Sequence, residues 1–368
     1  MARLGKAIFF DTRLSSSGKM SCATCHSPAH AFGPPTSAPA MYGGPSMSRQ
    51  GMRAVPSLMY LERASSFRIG PDTEENEGAQ APAPSASAVP QGGLFWDGRA
   101  DTLQAQALSP LLNPDEMDGG SIERVARKLR NGPYSRTFVE LFGPRIVRDS
   151  HALVNEALFA VGRYEFEDSS FHPYSSKYDA WLEGKARLSE AEMRGLRAFE
   201  DPRKGNCAAC HLDRPTSDGL PPLFTDYQYE ALGVPRNGAL AANRDPRFTD
   251  LGVCGPLRRD LRSQTQFCGM FGTPTLRNVA TRHVFFHNGR YHTLREVLDF
   301  YDFRAVAPQR IYSKTSYEDL PAKYARNVDA VDAPFDRRIG EKPPLTSRDE
   351  DDIIAFLRTL TDGYRPKR

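Results

Sequence analysis

The sequence contains no long apolar run. No segment approaches the roughly 18 consecutive apolar residues that a transmembrane helix needs, and no basic start followed by an apolar stretch marks a signal peptide. Charge of one sign is also scarce, since 48 Lys and Arg against 45 Asp and Glu leave a net charge of +3 over 368 residues. A nucleic acid or an acidic membrane surface would require a more basic protein. We therefore expect a globular protein without a transmembrane segment, long enough for two domains with hydrophobic cores.

Cysteine is scarce as well, but four of the six residues lie in two copies of one motif. The copies read Cys22-Ala-Thr-Cys25-His26 and Cys207-Ala-Ala-Cys210-His211. Two thiols at this spacing can reach both vinyl groups of one haem, and the following His can meet the iron, so each copy predicts covalently bound haem c. A four-cysteine zinc site is the alternative, but such sites usually close over about 15–20 residues. These pairs lie about 180 residues apart, so the sequence predicts two haems.

The remaining cysteines, Cys254 and Cys268, leave two alternatives open. Covalent haem attachment normally takes place outside the bacterial cytoplasm, so we expect a periplasmic protein from which a signal peptide or anchor has been removed. In that oxidising compartment the two thiols could form a disulfide that closes a loop of about 15 residues and contributes about 3 kcal/mol. Otherwise they are two free, buried thiols.

Hydrophobic periodicity indicates an all-α protein with no convincing strand. Helices are predicted over 4–10, 103–108, 121–129, 151–164, 193–199, 294–301 and 353–360, with capping residues Ser121, Ser189 with Glu192, and Ser347 with Glu350. A turn broken by proline is expected at 110–117, and a low-complexity loop at 70–93. We predict an N-terminal haem domain over 1–175 and a C-terminal haem domain over 176–368.

The motifs as a set resemble the bacterial dihaem cytochrome c peroxidase and MauG family. Besides the two Cys-X-X-Cys-His segments, the resemblance rests on FWDGRADTLQAQALSPLLNPDEM from Phe95, TPTLRNV from Thr273, FFHNG from Phe285 and FLRTLTD from Phe356. It implies two all-α, cytochrome c-like domains whose haems face each other. The first haem would be peroxidatic and the second would transfer electrons.

The resemblance also implies roles for individual residues. Trp96 matches a tryptophan that lies between the two haems, although plain core packing would also explain it. Gln106, Pro110 and Glu116 match the distal pocket of the first haem. Glu116 would move the peroxide proton from one oxygen to the other; the alternative is a solvated loop carboxylate.

Tyr301 is the first departure from the conventional peroxidases. Those enzymes place a methionine ligand of the second haem fourteen residues after the histidine that matches His287, and counting fourteen residues reaches Tyr301. MauG also has tyrosine there. A phenolate ligand stabilises higher oxidation states of iron, whereas methionine raises the potential. Tyr301 would therefore make Fe(IV) accessible at the second haem, unless it is only a core residue of its helix.

Two further departures concern the first haem and calcium. Conventional members rest with a histidine on the peroxidatic iron, but the sequence has no histidine between His30 and His151, which predicts an open first haem. His30 itself could swing towards the iron or lie at the surface. Family members also bind calcium through an asparagine that here is replaced in Arg53-Ala54-Val55-Pro56. Carbonyls at Arg282 and Val284 would then form at most a weak site with water.

The resulting expectation is a periplasmic dihaem enzyme that reduces hydrogen peroxide. It would store two oxidising equivalents as a bis-Fe(IV) state over both haems. The electron donor would be a small c-type cytochrome or a cupredoxin. Alternatively the oxidised target is a residue of a partner protein, as in a MauG-like maturase, or the protein is a dihaem electron carrier without chemistry of its own.

Overall fold

The computed structural model describes residues 1–71, 88–216, 219–313 and 317–366. Its α-helices are α1 Ala2–Phe9, α2 Cys22–Cys25, α3 Leu103–Leu112, α4 Ile122–Arg130, α5 Ser135–Phe142, α6 Ser150–Glu167, α7 Lys177–Leu182, α8 Glu190–Glu200, α9 Cys207–Cys210, α10 Leu294–Phe303 and α11 Ser347–Arg358. Short 3-10 turns occupy Thr12–Leu14, Pro28–His30, Ile146–Arg148, Ser169–Phe171, Ala241–Arg244, Thr265–Phe267, Val279–Thr281, Pro308–Arg310 and Ala322–Asn327. None of the helices in these ranges is both long and apolar enough to cross a bilayer.

The structure also contains strands, which the sequence did not predict. They form three antiparallel pairs: β1 Tyr42–Gly43 with β2 Arg49–Gln50, β3 Arg68–Pro71 with β4 Ala88–Gln91, and β5 Tyr229–Glu230 with β6 Phe271–Gly272. Strands of two to four residues are too short to leave an alternating apolar pattern. The loop predicted over 70–93 is therefore paired at both of its ends, and residues 72–87 lie outside the described ranges.

The chain divides into two compact units. The first contains Met1–Ser66, Gly93–Phe95 and Ala100–His172, and the second contains Phe67–Gly92, Trp96–Arg99 and Pro173–Arg368. Each unit holds one Cys-X-X-Cys-His segment. The domain assignment 1–175 and 176–368 remains a prediction. It did not anticipate that Phe67–Gly92 and Trp96–Arg99 belong to the second unit.

In the first unit, α1 packs directly against α6. The apolar stripe of α1 is buried through Leu4, Ile8 and Phe9. A Cβ added at Gly5 would lie 1.8 Å from the carbonyl oxygen of Ala160, so the two backbones meet at this glycine. This contact holds α1, which precedes the first motif, against α6, the last long helix of the first unit.

The second unit repeats this construction with α8 and α11. A Cβ added at Gly195 would lie 1.9 Å from the carbonyl oxygen of Asp352. Around this crossing Phe199, Ile353 and Phe356 are fully buried. The sequence showed no repeat beyond the two motifs. A close helix crossing requires only one glycine and a few apolar positions, and different apolar residues can fill those positions. The two crossings therefore need not resemble each other in sequence.

Helix boundaries confirm most of the sequence signals and correct two of them. Ser121 Oγ accepts the N–H of Arg124, and the capping box of Ser189 with Glu192 is present. The predicted box of Ser347 with Glu350 is wrong, because Thr346 and Asp349 form it one residue earlier. The predicted break at Pro110 is also wrong: α3 continues to Leu112, since a proline in the last turn removes only one helical hydrogen bond.

Candidate haem sites and peroxidatic pocket

The first motif is a single helical turn, and two hydrogen bonds hold its histidine in place. Ser21 and Thr24 cap α2 reciprocally, and the N–H of His26 donates to the carbonyl of Cys22 over 2.9 Å. His26 Nδ1 lies 3.0 Å from the carbonyl oxygen of Phe32. Because a carbonyl oxygen only accepts, Nδ1 carries the proton and the lone pair for a metal is on Nε2.

The second motif has the same design. The N–H of His211 donates to Cys207 over 2.8 Å, and His211 Nδ1 lies 2.9 Å from the carbonyl oxygen of Phe224. Burial lowers the pKa of His211 to about 4, although the carbonyls of Phe224 and Pro274 act in the opposite direction. His211 is therefore neutral at pH 7, the form in which imidazole binds iron.

The cysteines of the two motifs lie in pairs next to an oriented histidine. Burial raises the pKa of Cys22, Cys25 and Cys207 to about 12, so these thiols are protonated at pH 7. In the described ranges no group of three or more His, Cys, Asp and Glu side chains could hold a metal ion. Two thiols at this spacing with an oriented imidazole are the donor set of haem c, so the residues fit that group.

Glu116 lies beside the first motif, where the resemblance expects an acid/base residue. Its Oε1 accepts a hydrogen bond of 2.7 Å from Asn113 Nδ2, and its backbone N–H donates to the Asn113 carbonyl over 3.1 Å. Burial is the main cause of the raised pKa of Cys25, and the negative charge of Glu116 is the second cause, so the two groups interact electrostatically. The sequence did not identify Asn113 as the residue that positions this carboxylate.

Gln106 and Pro110 occupy the helix that leads to Glu116. They stand four residues apart on α3 and so share one helical face. Gln106 is buried and Pro110 is half-buried. The Pro110 carbonyl accepts the N–H of Met117 over 3.2 Å, which folds the segment that carries Glu116 back onto α3. The roles of Gln106 and Pro110 towards peroxide remain predictions.

Tyr301 lies on α10 against the second motif. Its phenol ring stacks on Phe335, with ring centroids 5.6 Å apart and planes inclined by 23°. Burial raises the pKa of Tyr301, and Cys210 and Cys207 are the next causes, so this residue faces the haem-binding segment of its unit.

Trp96 is anchored in the second unit through its backbone. The carbonyl of Trp96 accepts the N–H of Gly272 over 2.9 Å, and its side chain is buried. The next residue, Asp97, is fully buried and pairs with Arg99 at 2.8 Å. These contacts fix the segment, whereas the predicted position of Trp96 between two haems remains a prediction.

The remaining predicted residues are placed as follows. His30 ends a 3-10 turn, with Nδ1 3.1 Å from Ser27 Oγ. The Val284 carbonyl accepts a hydrogen bond of 3.3 Å from Arg282 Nε, so a guanidinium already occupies one of the two carbonyls predicted for calcium. Cys254 and Cys268 are joined in a disulfide within a buried cluster of Tyr229, Val253, Leu261 and Phe267.

The chain is similar to several known proteins. A family model described as di-haem cytochrome c peroxidase matches residues 1–187. The methylamine utilization protein MauG of Paracoccus denitrificans is 32% identical over 375 residues, which cover 100% of this chain and 90% of that protein. The cytochrome c551 peroxidase of Nitrosomonas europaea is 28% identical, covering 81% of this chain and 72% of that protein. The crystal structure of the diheme peroxidase BthA from Burkholderia thailandensis is 39% identical, with a TM-score of 0.88 over 98% of this chain and 86% of that chain.

Proposed function

The chain belongs to the di-haem cytochrome c peroxidase family, and we propose that it reduces hydrogen peroxide at an open first haem and shares the two oxidising equivalents between both haems. Family membership makes it a haem peroxidase with haem c cofactors and an all-α fold of two cytochrome c-like domains. The disulfide and the attachment motifs support a periplasmic location.

The proposed attachment uses the residues of the two motifs. Cys22 and Cys25 would hold the first haem, with His26 Nε2 on its iron. Cys207, Cys210, His211 and Tyr301 would hold the second haem. When bound, the two haems would cleave the O–O bond and hold one oxidising equivalent each.

The position of Glu116 beside the first motif carries the proposal. Reduction of one peroxide to two waters consumes two protons and two electrons, and a proton must move from one peroxide oxygen to the other as the O–O bond breaks. The Glu116 carboxylate, oriented by Asn113, would accept this proton and return it to the departing oxygen. Gln106 would donate a hydrogen bond to the peroxide, and Pro110 would limit the space for water.

The proposal also includes free access to the first haem and electron transfer from the second haem to the first. No histidine follows His30 in the sequence before His151, so the segment after the first motif would supply no blocking ligand. Trp96 would carry the electron that passes from the second haem to the first. The reducing partner would be a small c-type cytochrome or a cupredoxin, and calcium would bind at most weakly.

A protein maturase is the second candidate. Two observations favour it: the full-length identity to MauG and the tyrosine at position 301. The oxidised target would then be a residue of a partner protein instead of a small electron donor. Steady-state peroxide consumption with a reduced cytochrome or cupredoxin separates the two functions, because only the peroxidase would use such a donor as its substrate.

The test of the peroxidase proposal is Glu116→Gln, with Asp115→Asn as the matched control. General acid–base catalysis contributes about 10²–10⁴-fold to such steps, so the rate constant for peroxide with the diferric protein should fall by that factor. The neighbouring Asp115 is only weakly paired with Arg49 at 4.0 Å, and its substitution should leave the rate unchanged. A Glu116→Gln rate within twofold of the wild type would contradict the proposal.

A further inference from the structure

The hairpin formed by strands β1 and β2 lies directly against the turn that carries Glu116. The N–H of Gly44, at the end of β1, donates to the Glu116 carbonyl over 2.7 Å. A Cβ added at Gly43 would lie 2.5 Å from the Glu116 carbonyl oxygen, 2.6 Å from that of Asp115 and 2.7 Å from the Cα of Glu116. These separations are well below van der Waals contact, so no side chain fits between the two backbones.

Gly43 is needed for this close approach and not for its conformation. Its φ lies outside the left-handed region, so other residues could adopt the same backbone geometry, and the missing side chain is what the contact requires. Gly44 has a φ of +76°, and a Cβ there would lie 2.9 Å from the Pro114 carbonyl oxygen. Two consecutive glycines of the hairpin therefore contact three consecutive residues of the turn, 114–116.

The turn is also held on the side away from the hairpin. The Asn113 carbonyl accepts the N–H of Asp118 over 2.9 Å, and the N–H of Ser16, from the segment before the first motif, donates to the Met117 carbonyl over 2.9 Å. The turn cannot move away from the hairpin without straining these bonds. A side chain at Gly43 would therefore displace the Glu116 backbone and the hairpin relative to each other.

We propose that the hairpin positions the Glu116 carboxylate for proton transfer, through the backbone contact at Gly43. Gly43 is then a positioning residue, which acts through Glu116 and touches neither peroxide nor iron. The inference rests on the proposed role of Glu116 in moving the peroxide proton. A Cβ at Gly43 requires a shift of about 1 Å to reach van der Waals separation, and a misplacement of about that size can lower a rate about 100-fold.

The alternative is that the contact only stabilises the first unit. Gly43→Ala, made in the wild type and in Glu116→Gln, separates the two roles, because a residue that acts through Glu116 has little effect once that carboxylate is removed. Gly51→Ala is the matched control. Gly51 follows β2 in the same hairpin, and a Cβ there would lie 3.4 Å from its nearest neighbour, the Met41 carbonyl oxygen, which is ordinary contact.

The first readout is the rate constant for hydrogen peroxide with the diferric holoprotein. The second is hydrogen exchange of the peptide that contains Gly44, followed by mass spectrometry. We expect Gly43→Ala to lower the rate about 10–100-fold in the wild type and by less than twofold in Glu116→Gln. The Gly44 N–H should exchange faster in Gly43→Ala, because its bond to the Glu116 carbonyl is broken, and Gly51→Ala should change neither readout.

A second variant keeps the test decisive if Gly43→Ala yields no folded holoprotein. Gly44→Ala presses on the Pro114 carbonyl with a less severe overlap. It should lower the rate by a smaller factor that still exceeds twofold, and this decrease should again disappear in Glu116→Gln.

Three results overturn the inference, and they are distinguishable. Glycine variants within twofold of the wild-type rate, with Glu116→Gln slow, would remove the role of the hairpin and leave that of Glu116. A decrease of equal size in Glu116→Gln, or unchanged exchange at Gly44 in a slowed variant, would show that Gly43 does not act through the Glu116 turn. A Glu116→Gln rate at the wild-type level would refute the proposed proton transfer, and this inference would fail with it.

Discussion

The buried ion pair of Asp179 with Arg277 should be a main determinant of stability in the second unit. Arg277 Nη1 and Nη2 donate to the two carboxylate oxygens of Asp179 over 2.9 and 2.8 Å. The side chain of Asp179 is 5% exposed and that of Arg277 is 0% exposed. Burial alone would raise the pKa of Asp179, but the hydrogen bonds of Arg277 and Ser176 outweigh it, and the pKa lies below its usual value.

Asp179→Asn removes the negative charge, keeps the size of the side chain and leaves Arg277 unpaired in the interior. Breaking a buried pair in this way costs about 3–5 kcal/mol, which is a Tm decrease of roughly 6–20 °C for a domain of this size. The stabilisation is present above the unfolded-state pKa of Asp179 and should be lost as the pH falls through its lowered folded-state value.

The assay is thermal and urea unfolding of the holoprotein, followed by tryptophan fluorescence and circular dichroism. Glu140→Gln is the matched control, since Glu140 forms an exposed pair with Arg136 at 2.8 Å and should cost less than about 0.5 kcal/mol. The double substitution Asp179→Leu with Arg277→Met should recover much of the loss, because it leaves no buried charge. An Asp179→Asn effect as small as that of Glu140→Gln would refute the reasoning.

Two further predictions concern packing and pH. Gly195→Ala places a methyl group against the Asp352 carbonyl and should destabilise the second unit by about 3 kcal/mol or more in urea unfolding, whereas Gly238→Ala, which meets nothing within 4 Å, should not. Burial raises the pKa of Glu165 to about 8, so the folded state binds an extra proton between pH 4.5 and 8 and stability should decline over that interval by up to about 5 kcal/mol. Glu165→Gln should flatten this decline and Glu167→Gln on the same helix should not; an unchanged pH profile in Glu165→Gln would exclude the assignment.

The sequence was most informative where the chemistry requires particular side chains. One Cys-X-X-Cys-His segment can arise by chance, but two copies in one chain predict two attached haems. Glu116 was selected through the motif that surrounds it, and its role remains a prediction; in the structure its charge acts on Cys25. Tyr301 was found by counting from His287, and it lies against the second motif.

The residues that the sequence did not reveal act mainly through their backbone or through long-range packing. Phe32 and Phe224 orient the two histidines with carbonyl oxygens, which every residue type offers, so no sequence pattern marks them. Gly43 and Gly195 were inconspicuous because their close partners, Glu116 and Asp352, lie far along the chain.

The most direct test of the proposed chemistry is the reaction of the diferric holoprotein with one equivalent of hydrogen peroxide. Mössbauer and near-infrared spectra should show that both irons leave the ferric state together, with an absorption band from charge shared between the haems. Tyr301→Phe should abolish that band and leave covalent haem attachment intact. A diferric protein that remains unreactive until one electron is added would instead indicate a blocked first haem, and would contradict both the open pocket and the role assigned to Tyr301.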